Sequence, residues 1–206
     1  MGRSTNRKAL PRRSVRAFQT KRHIKLYYAL VNGVCSNNGN LYKSYFAEIF
    51  GMPVKILFVC LGNICRSPLA EAIFISKINE RKLSAGFNVQ SCGTANYHIG
   101  HSPDPRTIHN AKKNGIEINH LGGQLTESDL DSFDYIMAMD NSNLRNIFRL
   151  ENAAINSHKI FLMRSYDSLG KDMDVPDPYY GEEKDFQEVF DILNRSIESF
   201  IESLTM

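Results

Sequence analysis

The sequence from residue 53 onward predicts an α/β fold in three layers, with a four-stranded parallel sheet between helices on both faces. Short apolar runs alternate there with segments of helical periodicity, which is typical of a parallel sheet covered on both sides. A tight loop joins the first apolar run to the first helix. Because ligands of such sheets bind beyond the carboxyl ends of the strands, we expect the functional site at this loop.

The four strands are predicted from apolar runs of strand length. Each run is too short for a helix and is rich in β-branched or aromatic residues, which favours a buried strand. The runs cover residues 54–59, 87–91, 135–139 and 159–163.

The helices are predicted from capping residues and from apolar residues at helical spacing. Ser67 and Pro68 suit the N-cap and the first residue of the helix that follows the tight loop. Asp104 and Thr126 suit the N-caps of two further helices, and Gly115 suits the end of the first of these. The predicted helices cover residues 67–82, 104–115, a short stretch after 126, residues 143–150, and a long amphipathic helix over 186–204.

The loop after the first strand predicts a phosphate site. This segment, here called the phosphate loop, consists of Cys60, Leu61, Gly62, Asn63, Ile64, Cys65, Arg66 and Ser67. Glycine and asparagine at its centre tolerate the positive φ angles that such a loop needs. The backbone N–H groups of residues 61–66 can then point inward at one anion, and the following helix adds the partial positive charge of its N-terminus.

Cys60 and Arg66 supply the chemistry for such an anion. The inward amides, the helix N-terminus and Arg66 favour a Cys60 thiolate, which attacks phosphorus and forms a phosphocysteine intermediate. Arg66 offers two parallel N–H groups to phosphoryl oxygens, a contact that lysine cannot reproduce. Ser67 can donate its hydroxyl to the sulfur and so improve the thiolate as a leaving group. A buried cysteine beside an exposed arginine is the competing interpretation, which the loop and the helix start disfavour.

Residues 54–71 resemble the start of the low-molecular-weight protein tyrosine phosphatases. Residues 177–180, Asp-Pro-Tyr-Tyr, resemble the general-acid loop of that family, and residues 133–145 contain further similar segments. The resemblance extends from residue 53 to about residue 204. It implies a phosphatase domain over residues 52–206 that hydrolyses protein phosphotyrosine and other aryl phosphate monoesters, with acid phosphatase activity and with no cofactor or metal ion.

The resemblance also implies a general acid and an aromatic slot. Asp177 would protonate the leaving phenolate and later accept a proton from the attacking water. Taken alone, an aspartate before Pro178 is more typical of a surface turn. Tyr179 and Tyr180 would form one wall of a slot for the substrate ring and Tyr97 the other.

Three further residues are implied as supports of the phosphate loop. In the family-like arrangement His120 forms a hydrogen bond with Asn63 and holds the loop in its strained shape, and Ser91 assists. Asp140 takes a similar supporting role. The sequence departs from many relatives at residues 122–123, where Gly-Gly replaces Ala-Arg or Ser-Arg, a change that affects packing and rim charge but no catalytic group.

The remaining cysteines of the domain suggest redox regulation. Cys65 lies five residues after Cys60 in the same loop, so we expect the two sulfurs to face each other at disulfide distance. Peroxide would convert the Cys60 thiolate to a sulfenic acid that Cys65 captures as a disulfide. The alternative is that Cys65 only fills space under the loop. Cys92 is predicted as a core residue.

Two other functions compete with phosphotyrosine hydrolysis. An arsenate reductase of the same fold would use the same loop, but it needs two further cysteines to relay a disulfide. Only Cys92 lies beyond the loop, which disfavours this chemistry. A non-catalytic phosphate-binding module is disfavoured because binding alone has no use for Asp177 as an acid.

The composition of the chain limits the classes of binding partner and the cellular compartment that we expect. The chain has 206 residues, of which 42% are hydrophobic and 23% charged, and it contains no apolar run long enough to span a membrane. Its four cysteines form neither a disulfide framework nor a zinc-binding pair. Because a thiolate nucleophile must stay reduced, we expect a cytoplasmic protein with no membrane partner and no nucleic-acid partner for the core domain.

The N-terminal arm, residues 1–51, differs in charge from the rest of the chain. It carries ten Lys and Arg residues against Glu48 alone, a net charge of +9, whereas residues 52–206 have a net charge of −6. A targeting segment, a tail for anionic partners and an unselected extension are the three interpretations. Met52 directly before the family-like start favours the third, so we expect a disordered or non-core arm.

Overall fold

The computed structural model describes residues 53–205, and this part of the chain contains four strands and six α-helices. The strands are β1 (Val54–Cys60), β2 (Phe87–Gly93), β3 (Tyr135–Ala138) and β4 (Ile160–Leu162). The helices are α1 (Arg66–Glu80), α2 (Pro105–Lys113), α3 (Glu127–Ser132), α4 (Asn141–Ile147), α5 (Ala153–Asn156) and α6 (Glu183–Thr205). Short 3₁₀ turns cover Ser84–Gly86, Ser157–Lys159 and Met163–Tyr166.

The strands form one parallel sheet in the order β2-β1-β3-β4. β1 is central, and its residue Leu57 lies opposite Gln90 on one side and Ile136 on the other. The strand order reverses between β1 and β3, which makes the carboxyl end of β1 a topological switch point. Cys60 is the last residue of β1, so the fold places it where ligands of such sheets bind.

Two hydrophobic cores cover the two faces of the sheet. Successive side chains of β1 point to opposite faces. Ile56 and Phe58 belong to the larger core, which they share with α1 and α6, and the ring centroids of Phe58 and Phe74 lie 6.0 Å apart. Leu57 and Val59 belong to the smaller core with residues of α3, α4 and α5. The predicted three-layer α/β architecture is confirmed.

The predicted start of the first helix is wrong. α1 begins at Arg66 with Cys65 at the N-cap position, so Ser67 lies inside the first turn and makes no cap hydrogen bond. The hydroxyl of Ser67 instead donates to the Sγ of Cys60 at 3.0 Å. A cap predicted from residue type fails here because the Ser67 oxygen accepts a hydrogen bond from the Nδ2 of Asn63 at 2.9 Å rather than from a helical backbone N–H.

Three further elements differ from the predicted ones. α4 begins two residues before the predicted start, because the Asp140 carboxylate accepts a hydrogen bond from the backbone N–H of Asn143 at 2.6 Å and caps the helix. α5 was not predicted. β2 continues to Gly93, which pairs with Cys60 in the parallel register.

The prediction for residues 1–51 lies outside the described residues. Within residues 53–205, no helix combines the length and the apolar character that a membrane span requires. In the same range, no group of three or more His, Cys, Asp or Glu side chains is arranged to hold a metal ion.

Candidate active site

Cys60 lies at the floor of the phosphate loop. Its side chain is almost fully buried. The sulfur accepts one hydrogen bond from the backbone N–H of Asn63 at 3.2 Å and one from the Ser67 hydroxyl at 3.0 Å. Two donors directed at one sulfur suit a thiolate, because hydrogen bonds to a charged acceptor are the stronger ones.

Asn63 holds the loop in its left-handed turn. It is fully buried and has a φ of 55°, a region that asparagine tolerates better than most residues. Its Nδ2 donates to the hydroxyls of Ser67 at 2.9 Å and Ser91 at 3.0 Å. Its Oδ1 accepts from the backbone N–H of Gly123 at 2.7 Å and lies 2.8 Å from the Nε2 of His120. Both ends of the amide are therefore satisfied.

Glu71 closes a ring of contacts behind Asn63. Its Oε2 accepts a hydrogen bond from the Ser91 hydroxyl at 2.7 Å and lies 3.1 Å from the Nδ1 of His120. The sequence did not single out Glu71 for a role. Its position four residues after Ser67 on α1 was a usable signal, since such residues lie on the same face of a helix.

Arg66 is the buried cation of the site. Its Nη1 donates to Asp140 at 2.6 Å and to the backbone carbonyl of Val175 at 3.1 Å, and its Nη2 donates to Asp177 at 2.6 Å. Burial disfavours the charged guanidinium, but the Cys60 sulfur and the two carboxylates outweigh it and raise the pKa of Arg66 above its ordinary value. Arg66 is therefore charged at any working pH.

Asp177 lies on an exposed segment, residues 175–181, here called the acid loop. The Asp177 side chain is 44% exposed. Its Oδ1 accepts a hydrogen bond from the backbone N–H of Tyr179 at 3.2 Å, and its other oxygen contacts Arg66. Sequence separates Asp177 from Cys60 by more than a hundred residues, but the guanidinium of Arg66 joins them in one site.

A single cleft contains the predicted nucleophile, the arginine and the predicted acid. Its walls are formed by Cys60, Gly62, Ile64, Cys65, Arg66, His98, Asp177 and Tyr179. Tyr97, which is 69% exposed, and Tyr180, which is 97% exposed, are not among the lining residues. Leu61 is an exposed residue at the rim. The structure thus places only Tyr179 of the three predicted tyrosines at the cleft.

His98 takes the wall position that the sequence assigned to its neighbour Tyr97. A Cβ atom at Gly62 would lie 3.1 Å from the imidazole of His98, and one at Gly122 would collide with the carbonyl oxygen of His98. Two glycines therefore allow His98 to approach the phosphate loop. The departure from relatives at residues 122–123 was the signal in the sequence, although it pointed to packing rather than to a wall.

The two other cysteines of the described chain are buried. Burial raises the pKa of the Cys65 thiol to about 12, so its sulfur carries its proton at neutral pH. Burial also raises the pKa of Cys92, which packs in the smaller core. The prediction that Cys92 is a core residue is confirmed.

Comparison with known proteins identifies the family. The family described as low molecular weight phosphotyrosine protein phosphatase matches residues 55–206. A Schizosaccharomyces pombe protein of that name is 45% identical over 152 residues, which cover 73% of this chain and 97% of the relative.

Solved structures agree with that assignment. A protein tyrosine phosphatase from Entamoeba histolytica, with Hepes in its active site, is 41% identical with a TM-score of 0.70, and the match covers 73% of this chain and 96% of that chain. A Drosophila arginine phosphatase is 34% identical with a TM-score of 0.68, over 74% of this chain and 99% of that chain. The chain belongs to the low molecular weight phosphotyrosine protein phosphatase family.

Proposed function

We propose that this chain hydrolyses protein phosphotyrosine and small aryl phosphates, with Cys60 as nucleophile, Arg66 as phosphate ligand and Asp177 as general acid and base. One observation carries these roles. The Cys60 sulfur, which accepts from two donors, lines the same cleft as the Arg66 guanidinium and the Asp177 carboxylate, and the last two are hydrogen-bonded to each other. That arrangement supplies a nucleophile, a charge clamp and a proton donor around one phosphoryl group.

In the first step the Cys60 thiolate attacks phosphorus. The S–P bond forms as the bond between phosphorus and the phenol oxygen breaks, and Asp177 gives its proton to that oxygen. Arg66 and the loop amides of residues 61–66 hold the phosphoryl oxygens as their charge spreads in the transition state. Tyr179 stacks on the substrate ring, and His98 lines the same cleft, whereas Tyr97 and Tyr180 lie outside its walls.

In the second step water attacks the phosphocysteine. Asp177, now ionised, accepts the proton of that water, and the S–P bond breaks to release phosphate and the Cys60 thiolate. The hydroxyl of Ser67 and the backbone N–H of Asn63 stabilise the departing sulfur, since both already point at it. The enzyme returns to its starting state with no external cofactor in the balance.

The supporting residues keep the loop ready for an anion. His120, Ser91 and Glu71 fix Asn63, and Asp140 fixes Arg66. A loop already in its binding shape stabilises the transition state without reorganisation during the reaction. We assign residues 52–206 to this domain and place it in a reducing compartment such as the cytoplasm, because Cys60 must remain a free thiolate.

The test is a comparison of wild type with Cys60→Ser on a phosphotyrosyl peptide, a small aryl phosphate and a phosphoarginine peptide. We expect wild type to prefer the first two, and Cys60→Ser to lose activity on all of them while its melting temperature is unchanged. Rapid acid quench with labelled substrate should trap phosphate on Cys60 in wild type only. Cys92→Ser, which removes a thiol outside the cleft, is the matched control.

Each alternative has its own result. Preference for the phosphoarginine peptide would move the substrate class towards that of the Drosophila relative. Thiol-dependent reduction of arsenate at a rate above phosphate release would indicate the reductase. Binding of phosphate without turnover would indicate a binding module. Activity of Cys60→Ser above a few per cent of wild type would exclude the covalent mechanism.

A further inference from the structure

We propose that Arg106 is a positioning residue that holds the acid loop against the phosphate loop and so sets the reach of Asp177 to the leaving oxygen. The inference rests on the function proposed above for Asp177. Arg106 lies on the first turn of α2 and is not among the residues that line the cleft. Its influence on catalysis therefore acts through the segment that it holds.

Asp104 anchors Arg106 to the phosphate loop. The carboxylate of Asp104 accepts hydrogen bonds from the Nε of Arg106 at 3.0 Å, from its Nη2 at 2.7 Å and from its backbone N–H at 2.8 Å. The backbone N–H of Asp104 donates to the carbonyl of Ile64 at 2.8 Å. A guanidinium held by two atoms of one carboxylate has a defined plane, and here that plane is tied to the loop around Cys60.

The same guanidinium also donates hydrogen bonds to the acid loop. Nη2 donates to the carbonyl of Tyr179 at 2.9 Å and Nη1 to the carbonyl of Gly181 at 3.5 Å. The guanidinium carbon lies 5.7 Å from the ring centroid of Tyr179 and 4.8 Å from that of Phe186 in α6. Arg106 therefore contacts the chain two and four residues after Asp177 and the helix that follows.

The acid loop has few anchors of its own. Val175 and Pro178 are its only buried residues in the described structure. The N–H of Val175 donates to the carbonyl of Met139, directly after β3, and its carbonyl accepts from Arg66. The Asp177 carboxylate contacts Arg66 across the cleft. When a phosphate ester binds Arg66, it occupies the guanidinium N–H groups that otherwise contact Asp177. Asp177 then turns to the leaving oxygen, and the acid loop depends on Arg106 for its position.

A double-mutant cycle tests this role. Arg106→Gln removes the hydrogen bonds to both carbonyls. Arg106→Lys keeps the positive charge but loses the planar guanidinium. Lys112→Gln removes an exposed charge from the same helix and is the control. Each is measured in the wild-type and Asp177→Ala backgrounds. The substrates are phosphotyrosine, whose phenol is a poor leaving group, and p-nitrophenyl phosphate, whose phenol is a good one.

We expect Arg106→Gln to lower kcat/KM on phosphotyrosine about 10-fold, with little change in kcat/KM on p-nitrophenyl phosphate, because kcat/KM reports the step in which Asp177 protonates the leaving phenol. In the Asp177→Ala background the same change should have almost no effect on either substrate. Arg106→Lys should fall between, and Lys112→Gln should match wild type. An equal loss on both substrates, or the same factor in both backgrounds, would overturn the proposal.

Hydrogen exchange separates this inference from the proposed function. Backbone amides of Asp177 and of residues 179–182 should exchange faster in Arg106→Gln than in Lys112→Gln, whereas amides of β1 should not change. If wild type hydrolyses no aryl phosphate, the proposed function fails, and the role in catalysis fails with it even when the exchange result stands. Unchanged exchange in an active enzyme would overturn the positioning role alone.

Discussion

The phosphate loop and the acid loop meet at Arg66 but are held in opposite ways. In the phosphate loop Cys60, Asn63 and Ser67 are buried and bonded to one another. In the acid loop Asp177 is 44% exposed, and its carboxylate contacts the nearby backbone N–H of Tyr179 and the distant guanidinium of Arg66. The first has a local set of hydrogen bonds that Ser91, His120 and Gly123 support from outside, and the second depends mainly on the tertiary structure around it.

This difference matches the tasks that we propose for the two loops. Charge on a phosphoryl group is best stabilised by donors that do not move, which a buried and satisfied loop provides. A general acid must reach the leaving oxygen in one step and a water in the next, which an exposed loop allows. Changes in the phosphate loop should therefore slow every substrate, and changes in the acid loop should depend on the leaving group.

The largest effect is expected from Arg66→Lys. Lysine cannot offer two parallel donors, and the loss of each transition-state donor costs about 10²–10³ in kcat. We expect a loss of about 10⁴-fold or more that is the same for phenols of low and high pKa. Steady-state rates over a series of aryl phosphates check this, with circular dichroism as the control for folding. A loss confined to substrates with poor leaving groups would show that Arg66 acts through the general acid and not on the phosphoryl group.

Asp177→Ala should come next and should separate the two loops most sharply. Removal of a positioned general acid costs about 10²–10⁴-fold, and we expect a loss in that range on phosphotyrosine. Aryl phosphates with acidic phenols should lose much less, because their leaving groups hardly need the proton. The measurement is the slope of log kcat/KM against leaving-group pKa, which should steepen because kcat/KM reports the step in which the phenol leaves. An unchanged slope would show that Asp177 is not the acid.

A smaller effect is expected from changes at Asn63. Two variants there separate the contribution of backbone strain from that of the side-chain hydrogen bonds. Asn63→Gly keeps the positive φ at little cost but loses four contacts, and Asn63→Ala loses the same contacts and adds about 1–2 kcal/mol of strain. Both should lower kcat about 10²-fold for every phenol, since the loop loses its shape.

Thermal unfolding is the second measurement at this position. Asn63→Ala should melt below Asn63→Gly, and both should melt below wild type because buried hydroxyls lose their partner. If the two variants melt together, the left-handed turn is not under strain and hydrogen bonding alone shapes the loop.

Cys65→Ser should change recovery from oxidation. We expect peroxide to oxidise the Cys60 thiolate to a sulfenic acid. The Cys65 thiol should then form a disulfide with Cys60, and its proton and the sulfenic hydroxyl should leave as water. A dithiol should restore wild type but recover Cys65→Ser poorly, relative to each starting rate. Full recovery of the variant, or no 60–65 linkage by mass spectrometry, would leave Cys65 as a packing residue only.

The smallest effect is expected from removal of residues 1–51. A chain that begins at Met52 should keep its kcat/KM and its melting temperature, because every group that we assign to the two loops lies beyond that point. A fall of several degrees, or of a large part of kcat/KM, would make the N-terminal arm part of the domain.

The comparison of the loops also explains which parts of the site the sequence predicted well. Cys60, Arg66 and Ser67 lie within eight consecutive residues between a strand and a helix, so local geometry alone brings them to one anion. Asp177 lies more than a hundred residues away, and only the family resemblance pointed to it. Tyr97 and His98 are adjacent, and residue type favoured the tyrosine as the wall, whereas two distant glycines admit the histidine.

The alternation of apolar strands and amphipathic helices determined the layers of this protein, and the eight-residue phosphate loop determined where an anion binds. Both depend on contacts within a few residues or on periodicity, which a single sequence displays. The tertiary structure decided that Glu71 lies behind His120, that Arg66 contacts both Asp140 and Asp177, and that Arg106 reaches the acid loop. These contacts join segments far apart in the chain, because distance in space depends on how the elements pack.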